Sequence, residues 1–360
     1  MAKLLKDLYD EKYIDLLSQT VALVYKNFDT SLFQSALFNN SWNTLELKER
    51  MRYISLTLHQ YLPQEYKQSI PILKKVFSKM NYSYGLENMI FQDYVEVYGL
   101  DELNISLSAL EHFTVNSSSE FAIRRFIIKY PKESMKQMKI WAKSENEHIR
   151  RLASEGCRPR LPWAIALENF KKNPKDVLEI LELLKDDTSK YVQKSVANNL
   201  NDISKDHPQI VQSLSKKWLE ENPERVAILK QACRTLLKSS DTLSLELFGF
   251  KNPKGIELRD FQLDTDVVLG EELEFSFTLE SKKRLGKLRI EFAIDFLRKN
   301  QKHNKKVFKI SEGEYMQNEK FISKSYSFKP ISTRNYYKGK HHLSILINGV
   351  VFMQKSFMLH

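Results

Sequence analysis

Cysteine is nearly absent. The 360 residues hold two, Cys157 and Cys233, too few for a disulfide framework and without zinc spacing. A reducing cytoplasm is the expected setting. The opening Met1-Ala-Lys-Leu-Leu-Lys-Asp7 has no apolar core, so no secretory leader is expected. No run approaches the ~18 apolar residues of a spanning helix, so no membrane partner is expected. No glycine-rich loop stands ready to cradle phosphate, no His/Cys set has metal spacing, and no nucleophile elbow is visible. Neither a metal nor an organic cofactor is therefore expected.

Charge of one sign is plentiful. The formal net charge is +11 and the isoelectric point about 9.3. Such a balance favours a polyanionic partner, nucleic acid first and an anionic membrane surface second. A basic protein with no anionic partner is the plain alternative. Hydrophobic residues make up 42% of the chain, enough for a packed core rather than wholesale disorder.

Residues 1–240 are poor in glycine and read as successive helices. Leu45 to Leu58 is amphipathic, Pro63 and Pro71 bracket the start of the next helix, and Leu86 to Tyr98 makes another that Gly99 ends. Ile123-Arg-Arg-Phe126, Ile149-Arg-Arg-Leu152 and Val192-Gln-Lys-Ser195 each open a helix in the same way, with Ile228-Leu-Lys-Gln231 as a fourth copy. The spacing is irregular but near the ~40–47 residues of HEAT-type helical pairs. Such pairs stack and curve into a concave surface.

The texture changes near Ser239. Asn252-Pro-Lys-Gly255 reads as a turn or linker, and alternating segments follow at Glu272–Leu279 and Lys287–Ile294. Shorter strands are expected at 306–310, 321–328, 343–347 and 350–357, with Asn348-Gly349 as the hairpin turn. The expected fold is a HEAT-like α-helical repeat solenoid over 1–240, a linker over 241–255, and an immunoglobulin-like β-sandwich over 256–360. Residues 241–360 hold 21 Lys and Arg against 15 Asp and Glu, a net of +6. Both parts are basic, which fits one shared anionic partner. A passive cap on the helical stack is the other reading of the sandwich.

The densest chemistry lies in His148-Ile-Arg-Arg-Leu-Ala-Ser-Glu-Gly-Cys-Arg-Pro-Arg-Leu-Pro-Trp-Ala164. Ile149, Leu152 and Ala153 offer a core face, Arg151 and Glu155 share the other side, and Gly156 stops the helix. Pro159 and Pro162 stiffen the exit that delivers Trp163. The pattern implies a fixed cluster of positive charge, one carboxylate and one aromatic face. Arg151 and Glu155 also fit an ordinary surface ion pair, and Trp163 an ordinary core aromatic. Lys194, Asn198 and Asp202 share a stripe that would face Glu155 across a groove, or would simply be solvated. Ser117 and Glu120 have capping-box spacing. His341-His342 falls among basic strands and reads as exposed.

These residues resemble the AlkC branch of the bacterial DNA alkylation repair glycosylases, relatives of the AlkD type. The similarity rests on Ser118-Ser-Glu-Phe-Ala-Ile-Arg124, on His148 to Ala164, and on Tyr191 to Pro208. The region after 255 is similar to the immunoglobulin-like domain of some members, at Lys306-Val-Phe-Lys309 and Tyr336-Tyr-Lys-Gly-Lys-His341. The resemblance implies a base-excision glycosylase for cationic alkylated bases, 3-methyladenine and 3-methylcytosine, that engages duplex DNA without full base flipping. It implies catalytic duties for Asp202, Glu155, Glu120, Trp163 and Arg151. Asp202 is the first choice for placing water and stabilising the sugar cation, and Glu155 the second. Glu120 shapes the lesion pocket or supports Arg151. Trp163 offers a π-face, and Arg151 holds a phosphate or orients a carboxylate.

Expected DNA contacts are Arg124, Arg150, Arg158, Arg160, Lys190, Lys194 and Asn198 in the helical part. Lys305, Lys306, Lys324, Arg334, Lys338 and Lys340 are expected in the sandwich. The partner is double-stranded DNA carrying alkylated bases, bound by a monomer. Two other readings stand beside this one: a non-catalytic DNA-binding scaffold, and a protein-binding solenoid, which the arginines at 150, 151, 158 and 160 disfavour. The glycosylase reading requires Glu155 and Asp202 to converge inside an electropositive cleft and not on a salt-bridged rim.

Overall fold

The computed structural model describes residues 4–80, 85–330 and 334–360. The chain divides into two compact units, Met1–Asp206 and His207–His360.

The first unit is helical. Its helices are α1 (Glu11–Val24), α2 (Thr30–Leu37), α3 (Leu47–Gln60), α4 (Tyr66–Lys79), α5 (Ile90–Tyr98) and α6 (Leu103–Thr114), then α7 (Ile123–Lys129), α8 (Pro131–Trp141), α9 (Glu147–Gly156), α10 (Glu168–Lys172), α11 (Lys175–Leu184) and α12 (Lys190–Ile203). Local chemistry starts them. Asp10, Asp29, Asn146 and Ser189 accept from first-turn backbone N–H groups of α1, α2, α9 and α12, which satisfies donors that have no partner inside the helix. Pro71 does not bracket the start of a helix. It lies inside α4, which begins at Tyr66 and continues because Ile70, Leu73, Val76 and Phe77 are buried.

Three of the repeated openings become α7, α9 and α12, and Ile228 lies in a helix of the second unit. Helix α9 packs on α8 and α12, burying Ile149, Leu152 and Ala153, while α12 buries Val192, Val196 and Leu200. Gly156 permits the closeness: a Cβ there would stand 2.7 Å from Ile123 Cγ2 and 3.1 Å from Met138 Cε.

The second unit begins with α13 (Pro208–Glu221), α14 (Val226–Ala232), α15 (Arg234–Lys238) and α16 (Thr242–Leu247). Strands β1 (Ile256–Leu263), β2 (Asp266–Val267), β3 (Glu272–Ser281), β4 (Gly286–Leu297), β5 (His303–Tyr315), β6 (Glu319–Ser327), β7 (Gly339–Ile347) and β8 (Val350–Leu359) follow. They form a three-stranded sheet in the order β1-β3-β6 and a five-stranded sheet in the order β2-β8-β7-β4-β5. Alternation does the sorting: β3 buries Leu273, Phe275, Phe277 and Leu279 and leaves Glu272 and Glu274 outside. Asn348 and Gly349 have φ of 48° and 79°, the paired positive values of a two-residue hairpin turn.

Helix gives way to strand between Leu247 and Ile256, yet the packing border lies earlier, after Asp206. A buried network explains the offset. Arg289 on β4 donates from Nη2 to Leu237 O at 3.2 Å and from Nε to Glu291 Oε1 at 2.7 Å, and Glu291 accepts from Ser240. The last helices are thus keyed to the sheet. His341 corrects another expectation: it is buried, with its ring 5.4 Å from that of Phe357. Among the described residues no helix is long and apolar enough to cross a membrane.

Candidate active site

Three carboxylates and three cations of the first unit meet where the 118–122 turn, α9 and α12 come together. Ser118 Oγ donates to Glu120 Oε2 at 2.6 Å and accepts from Arg151 Nη1 at 2.8 Å, and Arg151 Nη1 also donates to Glu120. Arg151 Nη2 lies 3.5 Å from Glu155 Oε1, one turn along α9. Just past the helix end, Arg158 Nη1 donates to Glu155 Oε1 at 2.6 Å, and its Nε donates to Asp202 Oδ2 at 2.8 Å. Lys205 Nζ closes the series on Asp202 Oδ1 at 2.9 Å.

Glu155 and Asp202, on α9 and α12, therefore share one guanidinium. They are salt-bridged, but not on a rim: Glu155 is 5% and Asp202 1% exposed. Burial works against charge on Arg158, yet Glu155 and Asp202 outweigh it and hold the guanidinium above its ordinary range. Arg151 behaves alike, with Glu120 and Glu155 overcoming the cost of burial. Charge is costly to strip from water and persists inside a protein only when paired. Here three cations balance three carboxylates.

That balance corrects the expected positive cluster. All four arginines of the 148–164 stretch have acidic partners. Arg150 pairs with Asp187 at 2.6 Å and Arg160 with Asp206 at 2.5 Å, besides the partners of Arg151 and Arg158. Arg158, expected on DNA, is 5% exposed and directed at the acids. Arg124, also expected on DNA, is fully buried. Its Nε donates to Ile165 O at 2.7 Å, and its Nη1 to Gly156 O at 3.0 Å and Arg158 O at 2.7 Å. Burial pushes its guanidinium down to about 10. It is a clamp on the loop after α9, out of reach of a phosphate. Lys190 and Lys194 are exposed on α12, and Asn198 is half-buried.

The loop that Arg124 clamps presents Trp163, which is 63% exposed, so it is not a core aromatic. Its φ is 62°, a left-handed conformation that bulky residues rarely adopt and that the surroundings must enforce. Lys48 of α3 supplies part of that constraint, donating from Nζ to Trp163 O at 2.8 Å while standing 4.7 Å from the centre of the Phe121 ring. A cleft of about 380 Å³, lined in part by Lys48, Arg52, Glu96, Ser118 and Phe121, adjoins this corner.

The capping-box reading of Glu120 fails. Ser117 Oγ donates to Gly85 O at 2.7 Å, and α7 starts only at Ile123 with no side-chain cap, so Glu120 is left to Arg151. Several participants were invisible as such in the sequence. Ser195 Oγ donates to Glu155 Oε2 at 2.6 Å and accepts from Ser154 Oγ at 2.7 Å. Asn199 Nδ2 donates to Ser154 O at 2.7 Å, and Tyr191 lies with its ring centre 5.0 Å from the Arg151 guanidinium. Ser195 and Asn199 lie on α12 at i and i+4, a spacing that marks one face.

Known proteins share this arrangement of segments. A family model described as DNA alkylation repair enzyme matches residues 107–239, and one for the C-terminal Ig-like domain of the uncharacterised protein YhaZ matches 257–360. YhaZ of Bacillus subtilis (strain 168) is 44% identical over 349 residues, covering 96% of this chain and 97% of that protein. The alkylpurine DNA glycosylase AlkC of Pseudomonas fluorescens, solved with DNA containing an abasic site analog, superposes with a TM-score of 0.84 at 34% identity, over the whole of both chains. The chain belongs to the AlkC-type DNA alkylation repair family. Its fold is that of the AlkC type, a helical region followed by an Ig-like sheet domain. In AlkC-type terms the network just described lies wholly within the helical part, inside the matched alkylation-repair segment.

Proposed function

We propose that this chain is a DNA glycosylase that hydrolyses the N-glycosidic bond of cationic alkylated bases, 3-methyladenine and 3-methylcytosine, in duplex DNA. It acts as a monomer in the cytoplasm, opens base excision repair, and leaves the base largely within the duplex. The observation that carries the reading is the pairing of Glu155 and Asp202 on one buried guanidinium, and the loop that follows Arg158 presents an aromatic ring to solvent at Trp163. The relationship to a DNA-bound alkylpurine glycosylase supports it.

The chemistry suits these groups. An alkylated base already carries a positive charge, so the electrons of the C1′–N bond pass into its ring and it leaves neutral without a strong acid. C1′ becomes electron-poor, and fixed negative charge beside it lowers the barrier. Asp202 is the group for this, and it also takes the proton of the water that adds to C1′. Glu155 adds a second negative charge, and Glu120 keeps Arg151 in place. Trp163 meets the cationic nucleotide with its π-face. The helical domain, residues 1–240, carries the reaction. The sandwich, residues 256–360 beyond a linker at 241–255, adds affinity for the duplex through Lys305, Lys306, Lys324, Arg334, Lys338 and Lys340.

Mass spectrometry of bases released from duplexes with one defined lesion each tests the proposal. Free 3-methyladenine or 3-methylcytosine is the expected product, and its absence from both duplexes refutes the reading. One observation favours a second reading: every carboxylate of the network already has a cation. A DNA-binding scaffold without turnover fits such closure, and it predicts salt-dependent binding with no released base.

A further inference from the structure

Arg158 touches both candidate acids. Its Nη1 donates to Glu155 Oε1 at 2.6 Å, and its Nε and Nη2 both reach Asp202 Oδ2 at 2.8 Å. Its side chain is 7% exposed. The main chain beneath it is pinned as well: Arg158 N donates to Glu155 O at 3.2 Å, and Arg158 O accepts from the buried Arg124. A guanidinium so held has no freedom to reach a phosphate.

We propose that Arg158 is a positioning residue that holds the carboxylates of Glu155 and Asp202 side by side and at fixed spacing. This deepens the glycosylase reading and rests on it. Two carboxylates gathered in a dry site repel, so that one takes up a proton or turns away. A planar fork with donors on two edges holds both. A lysine brings the same charge on rotatable donors, without the planar fork that fixes the spacing of two partners.

The same geometry sorts the acid oxygens. Glu155 Oε1 and Asp202 Oδ2 belong to Arg158, and Glu155 Oε2 belongs to Ser195. Asp202 Oδ1 is covered by Lys205 Nζ, on a side chain that is 39% exposed. When a phosphate draws that ammonium away, Oδ1 faces the sugar or the attacking water, while Arg158 keeps the carboxylate from rotating.

Arg158→Met would strand two buried carboxylates and disrupt the fold around them, so the test uses Arg158→Lys in the full chain. Base release from a 3-methyladenine duplex is measured in single turnover at saturating protein, beside affinity for an abasic-site duplex over a range of salt and a thermal melt. The expected result is a rate lower by about 10²-fold, the scale of an ångström of misplacement, with affinity and its salt dependence unchanged. Release at the wild-type rate overturns the proposal. So does weaker binding with a salt slope reduced by about one, which would make Arg158 a phosphate contact. A lysine variant that does not fold overturns it too, by assigning the side chain a purely structural duty. Failure of the wild-type protein to release any base is a different result: it removes the glycosylase reading itself.

Discussion

Arg151 and Arg158 stand among carboxylates with side chains 15% and 7% exposed. Lys305, Lys306, Lys324, Lys338 and Lys340 of the sandwich face solvent. The two sets use positive charge in opposite ways. In the buried set each cation is matched by an acid, so it adds little long-range field and a great deal of fixed geometry. In the exposed set the charge faces water and is screened by salt. Residue type follows from this difference. Planar arginine stands where two partners are held at once, and flexible lysine where the charge faces solvent. Lys305 and Lys306 lie on β5 and Lys324 on β6, the outer strands of their sheets, where charge also discourages pairing with a second sheet.

The hardest blow to the buried set is loss of an acid. Asp202→Asn, and separately Glu155→Gln, should slow single-turnover base release by about 10²–10³-fold while duplex affinity holds. If both variants keep wild-type rates, the assigned chemistry is wrong. Arg124→Met comes next and acts on folding. It strips two buried carbonyls and one partly buried one of their donor, so thermal or urea unfolding should show a loss of about 3–5 kcal/mol. A variant as stable as the parent would show that the loop after α9 is held by other means.

Converting Lys305, Lys306, Lys324, Lys338 and Lys340 together to glutamine probes the exposed set. Binding should weaken, and the dependence of log K on log salt should flatten by about 0.9 for each phosphate contact removed, with the rate on saturated DNA unchanged. Unaltered binding would sink the role given to the sandwich. Trp163→Gly removes the ring without straining a left-handed position, so it reports the ring alone. Release of a cationic base should slow by about 10-fold, within the range of a cation–π contact. The smallest effect concerns thiols. Burial raises Cys157 to about 12 and moves Cys233 the same way. The folded chain should therefore resist a thiol reagent at pH 8, while the unfolded chain takes it up twice. Because the folded values lie above the unfolded ones, the stabilising contribution is in place below about pH 9 and is lost as pH rises toward 12.

Much of this is legible in the sequence where a local rule governs. The amphipathic face of α3, the alternation of β3 and the Asn348-Gly349 turn each follow from spacing or from φ preferences. Strand β1 escapes the pattern because Arg259 and Asp260 break its alternation, and a bulge falls in that part of the strand. The roles of Arg124 and Arg158 are hidden for a different reason. Helical spacing groups Arg124 with Ile127 and Arg125 with Ile128 equally well, yet Ile127 is buried and Ile128 is 55% exposed. Only the packing of α7 decides which arginine points inward. The partnership of Arg158 with Asp202 spans 44 residues, and that of Arg289 with Leu237 spans 52. No window along the chain carries either. Helical spacing alone sets Arg151 beside Glu155, whereas nothing local marks Arg158 as the counterion of Asp202.

Gly156 gives the site a built-in ruler. Since even a methyl group there would collide with Ile123, Gly156→Ala would have to lever α9 off its neighbour, and Glu155 would travel with it. The seat of Glu155 is therefore gauged by the smallest residue in the chain, one that bears no functional group. Drift elsewhere in the repeats can be absorbed; a single added carbon at this spot would retune the tool.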